Sequence, residues 1–463
     1  MTSHAPMTPR DSSDPAPTAD AATPPLEQLP TLRVAVLGAG TVGSEVLRLI
    51  QQQGEDLAQR IGGRLEVIGV AVRDLERDRG EHVPTELLTA DASSLVREAD
   101  LVVELMGGIE PARSLLLEAM AHGASVVTAN KALLAQDGAE LYEAADEHGV
   151  DLYFEAAVAG AIPLVRPVRE SLAGDRIQRV LGIVNGTTNY ILDAMTRTGA
   201  SFEDALATAQ ELGYAEADPT ADVQGHDAAA KASILASLAF HTRVRAADVH
   251  CEGITAVTAQ DIIAAERMGR VIKLLSIVER IEEEAGERVS ARVYPALIPE
   301  NHPLASVSEA FNAVFIEADA AGSLMFYGQG AGGSPTASAV LGDLVSVARA
   351  RVRGGVGPRE SRYAGLDVVP LTELRSAFYL SLTVEDRPGV LAEIAGTLSE
   401  YGISISTIHQ EPLGAQEEGR GASAHIGIST HRALELAMDA ALDRFSTSAA
   451  VLSIDSILRI EGD

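Results

Sequence analysis

The sequence predicts an α/β chain in three folded parts: an open parallel sheet, then a mixed α+β region, then a βαββαβ module. Three observations carry that expectation. A branched apolar run, Leu32 to Leu37, meets the glycine turn GAGTVG (Gly38 to Gly43) and then an amphipathic stretch, which reads as strand, turn and helix. Strand and helix patterns alternate from there to about residue 160, as parallel βαβ units require. Near the other end, the alternating stretch FYLSLTVE (Phe378 to Glu385) opens a second, shorter series of strands and helices.

At 463 residues the chain is long enough for two or three domains with sizeable cores. Its net charge of −30 is spread along the chain, which opposes nucleic acid or an anionic membrane as a partner. No run approaches the roughly 18 apolar residues of a membrane span. Residues 1–30, rich in Pro, Ala, Thr, Ser and Asp, read as a disordered tail without the apolar core of a signal peptide. The single cysteine, Cys251, excludes an internal disulfide and a multi-cysteine zinc site, and it fits a reducing, cytoplasmic setting.

Residues 31–160 read as a Rossmann-type dinucleotide-binding domain. In GAGTVG, residues Gly38, Ala39, Gly40, Thr41, Val42 and Gly43 combine a tight turn, close approach to a pyrophosphate and a helix N-terminus facing the anion. The strand Leu65 to Val72 ends in Arg73-Asp74. An acid there holds the ribose hydroxyls of NAD, while an arginine pairs with the 2′-phosphate of NADP; Arg73 comes first and tilts the reading to NADP, with NAD still open. Strand Leu101 to Leu105 leads to Met106 and Gly107, under the nicotinamide side. Strand Ser125 to Thr128 brings Lys131 to the carboxyl edge of the sheet, where such folds bind ligands.

The stretch Gly213 to Lys231, GYAEADPTADVQGHDAAAK, holds the densest chemistry. Asp227 and Lys231 stand i,i+4 and share a face of a helix that starts near Gln224 to Asp227, after a loop marked by Asp218-Pro219 and Gly225. The chain has only three lysines, Lys131, Lys231 and Lys273, against arginine everywhere else. Lysine can give up its proton and arginine does not, so Lys231 is a candidate proton donor. Taken alone, the stretch also reads as an acidic loop capping a solvated helix.

Ala209, Gly213, Asp218-Pro219, Asp222, Gly225, Asp227 and Lys231 together resemble the active-site signature of homoserine dehydrogenases. That resemblance runs from about Leu32 onward and implies NAD(P)-dependent interconversion of L-homoserine and L-aspartate 4-semialdehyde, on the route to threonine, methionine and isoleucine. It implies Lys231 as proton donor, Asp222 in support of its network, and Glu216 and Asp227 on the substrate ammonium. Lys131 lies between cofactor and substrate, and Thr187, in the turn after the strand Ile177 to Val184, contacts the substrate. Residues 161–322 become the substrate and dimerisation domain, and 323–355 return to the cofactor, with Gly213 and Gly330 as contacts. A carboxylate and backbone carbonyls, matching Glu155, Val158, Gly160 and Ile162, hold a monovalent cation, Na+ by this analogy. Nothing in the residue pattern alone predicts that site.

Asp261 to Ile281 has helical apolar spacing, which makes Lys273 a snorkelling side chain. Residues 356–376 read as a linker. Residues 377–463, with DRPGVL (Asp386 to Leu391) between strand and helix, resemble the ACT domain, an amino-acid-binding regulatory module. This implies an amino-acid effector, L-threonine as pathway product, a module that moves on its linker, and a homodimer or homotetramer. Two rival readings are another amino-acid dehydrogenase with an ACT module and a silent amino-acid sensor on the same scaffold. Substrate turnover separates the first, and the intact Lys131, Asp227 and Lys231 argue against the second.

Overall fold

The structure is a computed structural model that describes residues 25–284, 286–359, 361–413 and 422–462. Most of the expected N-terminal tail, residues 1–24, lies outside them. The described residues build two sheets. The first has strands β1 (Thr31–Leu37), β2 (Arg64–Ala71), β3 (Leu88–Thr89), β4 (Leu101–Glu104), β5 (Ser125–Thr128) and β6 (Leu152–Tyr153). All pair in parallel in the order β3-β2-β1-β4-β5-β6, the doubly wound arrangement.

Helices α1 (Thr41–Ile61), α2 (Ala92–Glu98), α3 (Ala112–Ala121) and α4 (Lys131–His148) connect these strands. One face of the sheet packs against α2, α3 and α4, burying Leu116, Met120, Leu133 and Leu141. The other packs against α1 and a helix from far along the chain, burying Val34, Val36, Val46, Leu344 and Val347 together. Because both faces are covered, β1 and β4 are nearly continuous apolar runs rather than alternating ones.

The substrate region adds β7 (Ile177–Ile183), α5 (Gly186–Thr198), α6 (Phe202–Glu211), α7 (Thr220–Val223), α8 (His226–Phe240), β8 (His250–Cys251) and α9 (Ala259–Arg267). Strands β9 (Arg270–Glu283), β10 (Gly286–Pro299), β11 (Phe311–Ala318) and β12 (Gly322–Gln329) follow, and α10 (Gly333–Val352) returns to the first sheet. The helix expected over 261–281 is wrong. Helix α9 ends at Arg267, Gly269 turns at φ 65°, and residues from Arg270 form a central strand between β7 and β10. Ile272, Leu274 and Val278 enter one core while Leu275 and Ile277 enter another. A strand buried on both faces has apolar residues at every position, and such a run also satisfies helical spacing. Lys273 therefore does not snorkel. It is buried, with Nζ donating to Val307 O at 2.6 Å and Asn189 Oδ1 at 3.1 Å.

The last region comprises β13 (Arg375–Glu385), α11 (Val390–Glu400), β14 (Ile405–Leu413), β15 (Ser423–Thr430), β16 (Ala433–Leu434), α12 (Glu435–Ser446) and β17 (Val451–Ile460). Apart from the two-residue β16, this is the βαββαβ order expected. Its sheet is not separate: β17 pairs in parallel with β10, joining both regions in the order β12-β11-β7-β9-β10-β17-β13-β15-β14. The expected linker also packs. Val289 N donates to Asp367 O, Val369 N to Val289 O, and Gly357 N to the Asp151 carboxylate. The expectation of a module swinging on a free linker is corrected by these contacts.

Candidate active site

The glycine turn sits between β1 and α1. Gly38 has φ 101°, and a Cβ on Gly43 would lie 2.2 Å from Gly38 O, so only glycine lets α1 start this close to β1. In front of the turn lies a cleft of about 740 Å³ lined by Gly38, Ala39, Gly40, Arg73, Arg77 and Met106, among others. Buried Glu104 accepts from Met106 N at 2.8 Å and Gly107 N at 3.1 Å, fixing the far lip. The second glycine-rich turn leads into α10 beside α1: Ser334 Oγ donates to Glu45 Oε2 at 2.6 Å. A glycine turn, a helix N-terminus and an arginine-lined outer end fit a dinucleotide.

Lys131, first residue of α4, and Lys231, one turn into α8, converge on the Asp227 carboxylate. Lys131 Nζ donates to Oδ1 and Lys231 Nζ to Oδ2, the latter at 2.7 Å. Lys231 Nζ also donates to Val184 O at 2.7 Å, at the end of β7. Asn185, the N-cap of α5, donates from Nδ2 to Asp227 Oδ2 at 2.9 Å and to Asp222 Oδ1 at 2.7 Å, tying both acids together. Asp227 and Lys231 are buried, whereas the side chain of Lys131 is 45% exposed, so the cluster opens on that side. Burial pushes the Asp227 carboxyl up, but Lys231 and Lys131 together hold it well below the usual range.

Asn185 and Glu104 were missed by the residue pattern. An Asn before a helix caps it routinely, and Asn185 does accept from Thr188 N at 2.9 Å; its second task is set by long-range packing.

The other expected residues are placed less tightly. Thr187 lies near the cluster on α5, its hydroxyl donating to Tyr214 O at 2.6 Å. Gly213 (φ 77°) and Glu216 lie on the exposed turn after α6. The Glu155 carboxylate is buried and already accepts from Val165 N at 2.7 Å, Arg166 N and Nε at 3.0 Å, and Leu164 N at 2.5 Å. With that donor set it does not fit as a cation ligand.

A doubly wound sheet with a dinucleotide cleft and a lysine–carboxylate cluster at its carboxyl edge defines an NAD(P)-dependent oxidoreductase. Family models match in three consecutive blocks: "Homoserine dehydrogenase, NAD binding domain" over residues 38–155, "Homoserine dehydrogenase" over 163–345 and "ACT domain" over 378–435. The homoserine dehydrogenase of Corynebacterium glutamicum is 56% identical over 433 residues, spanning 93% of this chain and 96% of that protein. The crystal structure of a homoserine dehydrogenase from Thiobacillus denitrificans superposes with a TM-score of 0.86 at 40% identity, covering 94% of this chain and 99% of its own. A hyperthermophilic archaeal homoserine dehydrogenase in complex with NADPH aligns over 68% of this chain and 97% of its own, at TM-score 0.57 and 27% identity. The chain belongs to the homoserine dehydrogenase family.

Proposed function

We propose that the chain interconverts L-homoserine and L-aspartate 4-semialdehyde with NADP, Lys231 carrying the proton. One observation carries this reading. Lys231 Nζ has three N–H donors, of which Asp227 and Val184 O take two, leaving one for a substrate oxygen. A dinucleotide held at the Gly38–Gly43 turn would supply the hydride to the aldehyde carbon, or accept it from the alcohol carbon in the reverse direction. Lys231 then protonates the oxygen as negative charge grows on it, and the half-exposed Lys131 orients the substrate at the mouth. Asp227 has about one acceptor position left after Lys131, Lys231 and Asn185, and together with Glu216 it receives the substrate ammonium. Asp222, through Asn185, keeps Asp227 in place.

Arg73 at the end of β2 supports NADP over NAD, because a guanidinium pairs bidentately with a 2′-phosphate. Na+ would rest on the backbone carbonyls of Val158, Gly160 and Ile162, oxygen ligands suited to a hard cation. The ACT module is read as the site of a threonine effector: Gly389 has φ 96° and caps α11, whose N-terminus would receive the effector carboxylate. Paired ACT modules would make the chain a dimer or tetramer.

The deciding assay is homoserine-dependent reduction of NADP and NAD by the purified protein, with serine, malate and 3-phosphoglycerate as controls. Turnover of a control in preference to homoserine overturns the substrate. For the effector, inhibition by threonine should weaken in Gly389→Val; an intact chain indifferent to threonine, isoleucine and methionine overturns the regulatory reading.

A further inference from the structure

Arg459 stands on β17, the last strand of the ACT region, yet its guanidinium reaches the substrate region. Nε and Nη2 hold Glu435 of α12 at 2.8 and 2.9 Å, while Nη1 holds Glu252 at 2.8 Å. The guanidinium carbon lies 4.6 Å from the centre of the buried Tyr294 ring, so the group is fixed on three sides. Glu252 is bound a second time by His250 Nε2 at 2.7 Å, and its backbone N donates to Val293 O at 2.8 Å. Burial raises the Glu252 carboxyl, but His250 and Arg459 outweigh it and bring it to about 2.

The residues flanking Glu252 form the floor beneath the turn that precedes α8. Ile254 N donates to Val223 O at 2.8 Å, and Cys251 Sγ to Gln224 O at 3.3 Å. A Cβ on Gly253 would lie 2.2 Å from Val223 O and 2.5 Å from the Gln224 Cα, so the two backbones are in direct contact. That turn carries the acids. Asp222 O accepts from Gly225 N at 2.9 Å, and Gly225 O accepts from Ala229 N at 2.9 Å in the first turn of α8, which bears Asp227 and Lys231.

We propose that Arg459 and Glu252 are positioning residues: their ion pair fixes segment 251–254, and this segment sets the 223–225 turn and so the placing of Asp222 and Asp227 towards the substrate. The inference rests on the reading of Asp227 as substrate-binding and of Asp222 as its support through Asn185. An arginine suits the post because its rigid fork grips two carboxylates from two regions at once, which a lysine does not. A shift well under 1 Å in the turn would reach the reacting atoms, where small misplacements have large effects.

The test uses the full chain. Glu252→Gln keeps the shape and leaves Arg459 its paired contact with Glu435. It should raise KM for homoserine roughly tenfold with KM for NADP unchanged. Arg459→Lys, which also loosens the Glu435 contact, should do the same, and the double variant should be no worse than the worse single one, since both variants break the Arg459–Glu252 pair. Glu252→Asp, which retains the charge, should fall between wild type and Glu252→Gln, and it takes over the test if Glu252→Gln fails to fold. A purely structural role predicts instead a lower melting temperature and fewer active molecules, with both KM values unmoved; that result overturns the proposal, as do equal shifts in both KM values. Lys231→Ala in the same assay separates the two claims. If it stays active, the site reading fails; if it is inactive while the Glu252 and Arg459 variants behave as wild type, only the positioning role fails.

Discussion

Two buried ion clusters divide this molecule's work, and they differ in their cations. Around Asp227 the partners are lysines, Lys131 and Lys231. Around Glu461, where β17 joins β10, they are arginines: Arg179 and Arg292, with Tyr294 Oη donating at 2.6 Å and Glu279 holding Arg292 from the other side at 2.7 Å. Both clusters bury a carboxylate to about the same degree. The arginine cluster is closed and its charges are permanent, so it serves as a joint between two regions. The lysine cluster opens through the half-exposed Lys131. On the function proposed above, a choice of cation separates a structural junction from a reactive one.

The sharpest way to break the comparison is to move an arginine into the lysine cluster. Lys231→Ala should lower kcat by roughly 10²–10⁴, and Lys231→Arg nearly as much, because arginine does not release its proton at neutral pH. Steady-state kinetics checks this, and near-normal turnover by the arginine variant would remove Lys231 from proton transfer. At the other cluster, Glu461→Ala leaves Arg292 and Arg179 short of a buried partner and should destabilise by about 3–5 kcal/mol, read by denaturant unfolding. A loss under ~1 kcal/mol would mean the joint carries little.

Lys273 sharpens the comparison as a buried lysine bonded to neutral oxygens. Burial lowers its pKa from 10.5 to about 8. Below pH 8 folded and unfolded chains both carry this charge, so folding bears the whole penalty of burying it. Above pH 10.5 neither does. Stability from this residue should therefore rise between about pH 8 and pH 10.5, by up to about 3 kcal/mol. The rise should be missing in Lys273→Met; identical pH profiles in unfolding experiments would contradict it. The smallest expected effect belongs to an arginine outside any cluster. Arg73→Ala should raise KM for NADP about tenfold and KM for NAD far less, the worth of a charge-assisted contact of about 1.5–3 kcal/mol. Equal changes for both cofactors would discard the 2′-phosphate role.

What was legible in the sequence was local. The glycine turn and the i,i+4 pair Asp227–Lys231 are spacings, and the rarity of lysine pointed to Lys131 across 96 residues that spacing alone does not bridge. What stayed hidden depends on distant partners. Asn185 looks like any helix cap until Asp222 and Asp227 fold beside it. Arg459 and Glu461 are ordinary surface residue types, buried where β17 closes on β10, and Glu252 is only half-buried beside them. Strand β9 was misread because burial on two faces erases the alternation that marks a strand.

The return of α10 to the first sheet governs how the chain can fold. Val340, Leu344 and Val347 share with α1 the covering of a face of the dinucleotide sheet whose strands finish near residue 153, so part of that face stays wet until a segment some 180 residues later arrives. Such non-local closure implies slow folding by contact order. During synthesis, the early part would expose an apolar sheet face while the substrate region is still emerging, an opening for chaperones or for aggregation. A fragment cut after the sixth strand should accordingly be sticky and unable to fold cooperatively, although it contains every residue of the first glycine turn.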